Sequence, residues 1–418
     1  MEMTPKYHRW AILVAACALV FCTGSIYAFS VFRDQLADQI GLSSTMTAYS
    51  INSAIAPIPM ILGGYFVDHR RTRSIALVGG LLYGAGWLLA GFVASSGIGV
   101  IFAYGIVGGM GQGLVYAAAL NNTLRFFPDR RGLASGLITG ANGGATIVMA
   151  PVIQTLLSTM GLSSMMIAIG IVFLVVGVGA FLVIRQAPAD FVPEGWTPPT
   201  VDGVRPAAAV NMRWREMVAT PMFWLIFFIF ICGAFSGVMI SGNASPIAQG
   251  MYKYAAAEAA VFVSLYSFSN LAGRLIWGTL SDRIGRVRSL QIIFVIAAAG
   301  LAVVMLGKGE HRALPLAAGL LLIGTSFGGI MATMPTLVMG QFGPANQGIN
   351  YGIVFVGYSV AALLSPRIGA SIGAANDGDF SHAFVIAICA AALGVALAST
   401  YQVVTRRRQE ARLAQPVA

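Results

Sequence analysis

Arg274 stands alone in an apolar stretch. In SNLAGRLIWGTLSDRIGR (Ser269–Arg286) it precedes by eight residues a charged cluster, Asp282, Arg283 and Arg286, of the kind that ends a membrane helix. At 1.5 Å per residue, Arg274 then lies about 12 Å inside, near the middle of a hydrocarbon core about 30 Å thick. A guanidinium there costs from about 2.5 to more than 10 kcal/mol, so something must offset it. Asn270, one turn earlier, shares its helix face and can orient the cation without neutralising it. The acids lie elsewhere: Glu258 begins the same helix, and Asp34, Asp38, Asp377 and Asp379 fall near the outer ends of spans. Two readings stand. Either Arg274 is structural, satisfied by helix carbonyls and an acid, or its counter-ion is the carboxylate of a substrate, for which a planar two-pronged cation is suited. The second explains the residues better.

Composition sets the frame for that arginine. Of 418 residues 57% are hydrophobic and 10% charged, against roughly 25% charged in soluble domains, which makes this a polytopic membrane protein. The net charge of +10 comes from short arginine clusters between apolar runs, a pattern of membrane orientation. Basic patches interleaved with stacking aromatics are missing, which argues against nucleic acid. Cys17, Cys22, Cys232 and Cys389 all lie in apolar runs and read as packing residues, so neither a metal nor another cofactor is expected. The first apolar run, about 10–32, is too long for a cleavable signal. His8, His69, His311 and His382 fall in tails or loops, which leaves an intramembrane hydrolase without a base. A sensor would append a soluble domain, and none is evident.

Twelve apolar segments of about 20 residues follow one another. Six cover 10–32, 45–67, 74–95, 98–122, 132–158 and 162–185; six more cover 221–247, 256–281, 288–307, 313–339, 347–373 and 380–404. The expected organisation is an N-terminal six-helix bundle (1–187), a polar linker rich in proline (188–219) and a C-terminal six-helix bundle (220–418). Of the 25 lysines and arginines, nineteen fall on the side of the linker and both termini and four on the other. This bias places the linker and termini in the cytoplasm of a cell inner (plasma) membrane. Apart from Arg185 and Arg288 at segment ends, only Arg274 and Arg367 lie within spans.

The two halves share a loop. GGYFVDHRRTRS follows the second segment and WGTLSDRIGRVRS the eighth, each with a glycine four residues before an aspartate: Gly64 and Asp68, then Gly278 and Asp282, trailed by arginines such as Arg283 and Arg286. The glycine lets helices approach closely, and the aspartate can pair with a helix N-terminus or an arginine. These residues belong to gating structure rather than to substrate contact. Six plus six helices, a cytoplasmic linker and this repeated loop resemble the major facilitator superfamily across nearly the whole chain. The second copy matches that family's G-x-x-x-D-R-x-G-R pattern, whereas the first has His69 and Arg71 where arginine and glycine are usual. The resemblance implies an all-α integral membrane fold, two six-helix bundles related by a pseudo-two-fold axis, and transport by alternating access.

A narrower resemblance lies in LRFFPDRRGLASGL, EMVATPMFW, NLAGRLIWG, GSIYAF and NYG. These are similar to motifs of the oxalate:formate antiporter group and, in part, of animal monocarboxylate transporters, which implies a small organic anion as substrate. In the monocarboxylate transporters the position of Asn270 carries an aspartate that pairs with the arginine. By the same resemblance Tyr27 and Tyr116 fall where the antiporter group lines its cavity with aromatics, although either could equally be packing; Gly105, Gly109 and Gly113 make a close-packing face beside Tyr116. Asn142 replaces a tyrosine of that group, and Phe327 and Met331 stand where it has tryptophan and tyrosine. Asn243 reads better as a helix–helix hydrogen bond. The ninth residue of NYGIVFVGY, Tyr358, replaces the group's second substrate-binding lysine, and Val31 replaces a first-helix lysine of the monocarboxylate transporters. A dianion wants two cations and this chain keeps one, so lactate, pyruvate, acetate or propionate is the expected cargo.

Such an acid has a pKa of about 4 and is an anion at neutral pH. Bringing it inward against an inside-negative potential costs about 2.3 kcal/mol per 100 mV, which a co-transported proton removes. Asp377, Asp379, His382 and Glu258 are candidate carriers, each also readable as an ordinary surface group. The expectation is a proton-coupled monocarboxylate symporter, monomeric in the bilayer. The alternative is a carboxylate anion exchanger of the oxalate:formate type.

Overall fold

The structure is a computed structural model that describes residues 8–188, 191–193, 196 and 211–413. Among these residues it is helical, without strands. Among the described residues eleven helices are long and apolar enough to cross a membrane. One of them, Arg131–Val183, has 53 residues and turns at Gly161 (φ 76°, ψ 171°), a conformation open to glycine. At about 1.5 Å per residue it would be far too long for one crossing, so it is two spans joined without a loop, and the expected twelve result. They are α1 (Arg9–Thr23, prolonged by the 3-10 stretch Gly24–Val31), α2 (Ser43–Asp68), α3 (Thr72–Phe92), α4 (Gly97–Phe126), α5 (131–160) and α6 (162–183). The others are α7 (Pro221–Tyr252), α8 (Ala256–Ile284), α9 (Arg286–Leu306), α10 (Ala313–Phe342), α11 (Gln347–Ala375) and α12 (Ser381–Leu413). Much of the expected linker, 189–190, 194–195 and 197–210, lies outside the described residues, as do 1–7 and 414–418.

The chain forms two compact units, Met1–Met212 with Gln341–Ile353, and Arg213–Gly340 with Val354–Ala418. In the first, α3 and α6 meet backbone to backbone, since a Cβ on Gly80 would stand 3.0 Å from the Gly177 Cα. Lipid tails are as apolar as leucine, so close contact through small residues, more than apolar burial, holds such helices together. Trp87 is fully buried, with the rings of Phe32, Tyr104 and Phe173 at 5.5, 5.4 and 5.8 Å. The π-helical stretch Ile101–Gly108 widens a turn of α4, and the Tyr104 carbonyl there accepts from Asn52 Nδ2 at 2.6 Å.

In the second unit the threonine and proline of EMVATPMFW start α7. Thr220 Oγ1 accepts from the Phe223 N–H at 3.2 Å, and Pro221 occupies the first turn, where no N–H is needed. Asn243 joins α7 to α11, its Nδ2 donating to the Pro366 carbonyl at 3.1 Å, the helix–helix role expected of it.

Candidate functional site

Arg274 is 3% exposed, and its Nε donates to Asn270 Oδ1 at 2.9 Å. A guanidinium tethered through Nε to its own helix is restrained in the orientation of its plane, which is what a binding cation requires. The turn of α8 that carries both residues is clamped by α10. Gly328 lies on their main chain, where a Cβ would stand 2.7 Å from the Arg274 nitrogen and collide with the Asn270 carbonyl. Phe327 and Met331, both buried, flank that glycine on α10.

The register across α7, α8 and α11 is consistent. Tyr266 Oη donates to the Gly237 carbonyl at 2.5 Å; Gly237 is sixteen residues beyond Pro221, and Tyr266 sixteen before Asp282. Counting from the same side, Arg274 lies about 12 Å, Phe230 about 14 Å and Tyr358 about 16 Å along their helices. The Tyr358 ring packs on Phe355 and Phe230 at centroid distances of 4.8 and 6.0 Å. Tyr358 therefore shares the level of Arg274 within about one turn. Phe327 lies further out, against Gly237, where its ring leaves no room for a side chain.

The first unit holds the remaining candidates. Tyr116 is buried in α4, and Tyr27, in the 3-10 stretch of α1, is 43% exposed. Asn142 is buried on α5 and turned to α1, its Nδ2 donating to Thr23 Oγ1 at 3.3 Å and the Val20 carbonyl at 3.4 Å.

The two loop copies differ. Asp68, its side chain 2% exposed, is paired with Arg125 Nη2 at 2.5 Å and accepts from the N–H groups of Gly348 and Ile349 at 2.9 and 3.0 Å. The aspartate thus uses both kinds of partner its motif offers, an arginine and a helix N-terminus. Gly64 makes this reach possible by lying against Gly348, where a Cβ would stand 2.7 Å from the Ile349 nitrogen. In the second copy Gly278 is buried while Asp282 and Arg283 are exposed. Arg286 packs at Gly340, where a Cβ would stand 2.9 Å from its Nη1. The copy further from the family pattern makes the more enclosed clamp. The asparagine of NYG ties the start of α11 to the C-terminal part of the expected linker. Asn350 and Asn346 both donate to the Met212 carbonyl at 3.0 Å, and the Met212 N–H bonds the Phe342 carbonyl at 2.9 Å. These partners are widely separated along the chain, and no motif in the sequence signals them.

The four proton candidates sit at the helix ends remote from the two repeated loops. Glu258 Oε2 accepts from the Ala255 N–H at 3.0 Å and caps α8. Asp377 is an exposed turn residue with φ 51°, and His382 is exposed in the first turn of α12. Asp379 accepts from Lys308 Nζ at 2.6 Å and from the Ser381 N–H at 2.8 Å. Burial raises its pKa, but the hydrogen bonds from Lys308 and Ser381 outweigh it and hold the carboxyl at about 2.

The chain matches the Major Facilitator Superfamily over residues 10–366 and 238–416. It is 29% identical over 402 residues to the oxalate:formate antiporter of Oxalobacter formigenes, covering 94% of this chain and 91% of that protein. It is 25% identical to monocarboxylate transporter 11 of Homo sapiens, covering 91% and 81%. Among solved structures, a bacterial homologue of the iron transporter ferroportin in its outward-facing state aligns with a TM-score of 0.71 at 14% identity, covering 94% of this chain and 99% of that one; at that identity the likeness concerns the fold. The match along nearly the whole sequence, on a helical membrane architecture of twelve spans, establishes that this chain belongs to the major facilitator superfamily and is a multi-pass membrane transporter.

Proposed function

We propose that the transporter carries small monocarboxylates of the lactate, pyruvate or acetate type across the plasma membrane, together with a proton. The observation that carries this reading is Arg274, a buried guanidinium near mid-span whose plane is restrained by Asn270. A carboxylate meets such a cation through charge-assisted hydrogen bonds. Tyr358, at the same level, offers a hydroxyl and no charge, which suits one carboxylate with a short tail. On α10, Met331 and Phe327 are the buried apolar side chains we assign to the cavity, Phe327 at its end further along α7 beside Gly237. Tyr27 and Tyr116 are the contacts we assign to the first unit. The linker and both termini are cytoplasmic, by the distribution of arginine and lysine.

Carriage of one proton with the anion makes the cycle electroneutral and removes the cost of moving charge against the membrane potential. Asp379, held ionised by Lys308 and Ser381, is unsuited to that role, which leaves Glu258, Asp377 and His382 as the candidate carriers. A second reading, exchange of one carboxylate for another, is favoured by the identity to an oxalate:formate antiporter. Uptake of labelled lactate into empty proteoliposomes under an imposed pH gradient decides between them. Symport gives accumulation that collapses with a protonophore; exchange gives uptake only into vesicles preloaded with a carboxylate.

A further inference from the structure

α1 changes its winding where it meets α3 and α5. Its α-helical turns end at Thr23, and Gly24–Val31 continue as a 3-10 helix. Such a change disturbs the carbonyl pattern at the junction, and here buried side chains of two other helices take up the slack. Tyr83 Oη, from α3, donates to the Thr23 carbonyl at 3.2 Å and lies 2.9 Å from Ser25 Oγ. The single phenolic proton goes to the carbonyl, so the Ser25 hydroxyl donates to the Tyr83 oxygen. From α5, Asn142 bonds Thr23 Oγ1 and the Val20 carbonyl. Ser25 and Thr23 are fully buried, and Tyr83 nearly so.

The junction determines where the next side chains aim. An α-helix advances about 100° per residue and a 3-10 helix about 120°. Over the three steps from Gly24 to Tyr27 the difference is about 60°, enough to carry a side chain from one neighbouring surface to another. In this stretch Ile26 is 2% exposed, Ala28 0% and Tyr27 43%. We infer that Tyr83, with Ser25 and Asn142, is a positioning residue that fixes the winding of α1 and thereby aims Tyr27 at the substrate. Asn142 then serves the site by holding α1 rather than by touching the anion. The inference rests on the reading of Tyr27 as a substrate contact.

Two measurements test it, one of them independent of substrate. With Cys17, Cys22, Cys232 and Cys389 replaced by serine or alanine, Tyr27→Cys is labelled with a maleimide in the full-length protein, with and without Tyr83→Phe. Loss of the phenolic proton should change the labelling rate by about threefold or more, the scale of one intramembrane hydrogen bond; an unchanged rate overturns the inference. In lactate uptake, Tyr83→Phe should raise KM about three- to tenfold and leave kcat within about twofold, with the melting temperature of the purified protein unchanged. In a Tyr27→Ala background the same substitution should have no further effect on KM, because it acts through Tyr27. Multiplying effects of the two substitutions would overturn the positioning role. A Tyr27→Ala protein with ordinary KM would instead remove Tyr27 from the site, while leaving Arg274 and the carboxylate reading intact.

Discussion

The Nε of Arg274 donates to Asn270 Oδ1 across one turn of α8 at 2.9 Å, so the buried cation is restrained by a neutral amide of its own helix. Replacing that amide by a carboxylate tests its neutrality. Asn270→Asp places an anion beside the guanidinium that competes with the substrate at neutral pH. Lactate affinity should fall about tenfold or more at pH 7 and recover at acidic pH as the introduced carboxyl is protonated. Lactate binding to the purified variant across pH 5 to 8 checks this; a pH-independent affinity equal to that of the unmodified protein would contradict it.

Selectivity should follow the number of cations. Tyr358 packs on Phe355 and Phe230 at the level of Arg274, and a second carboxylate there would be desolvated without a positive partner, at a cost of several kcal/mol. Oxalate should therefore compete with labelled lactate about 100-fold less well than acetate or pyruvate does. Tyr358→Lys should improve oxalate competition about tenfold or more and slow monocarboxylate turnover. Equal competition by oxalate and lactate in the unmodified protein would point to the exchanger.

The clamp around Asp68 should behave as one unit. Asp68→Ala leaves Arg125 and two helix N–H groups without their buried acceptor, and breaking such a pair costs about 3–5 kcal/mol. Both Asp68→Ala and Arg125→Ala should lower the melting temperature in detergent, and the double substitution should cost clearly less than the two losses added. Additive losses would show that the pair is not coupled.

Where α12 begins, Lys308 and Asp379 form a half-exposed ion pair. The Asp379 pKa is depressed from an ordinary 3.8 to about 2, so its contribution to stability is complete above about pH 4 and is lost only as pH falls through 2. Exposed pairs of this kind are worth about 0–1 kcal/mol. Asp379→Asn should thus leave the pH profile of uptake between pH 5 and 8 unchanged and lower stability only slightly. A shifted profile would make Asp379 part of the proton path.

Hydropathy made the twelve spans legible because lipid contact forces every crossing to be apolar. It did not give their ends: α7 runs on to Tyr252, α10 to Phe342 and α12 to Leu413, past the segments read at 247, 339 and 404, since a helix can continue in water once its backbone is paired. Nor did it reveal that the fifth and sixth spans are joined only by the turn at Gly161. Arg274 and Asn270 were legible as a pair because their spacing is a helical turn. Tyr83 and Asn142 meet α1 across 60 and 119 residues, and no local pattern encodes such partners. Asn142 was a candidate by position, and its bond to Thr23 Oγ1 of α1 was not legible. The first loop copy, less like the family pattern, gave no sign that Arg125 would complete it.

The central claim is that Arg274 binds the carboxylate, and lactate binding to purified Arg274 variants tests it most directly. A charge-assisted, two-pronged contact is worth about 1.5–3 kcal/mol. Arg274→Ala and Arg274→Lys should therefore both fold, shown by an ordinary gel-filtration profile and melting curve, and bind lactate about 10- to 100-fold more weakly. Lactate bound by folded Arg274→Ala with undiminished affinity would contradict the account.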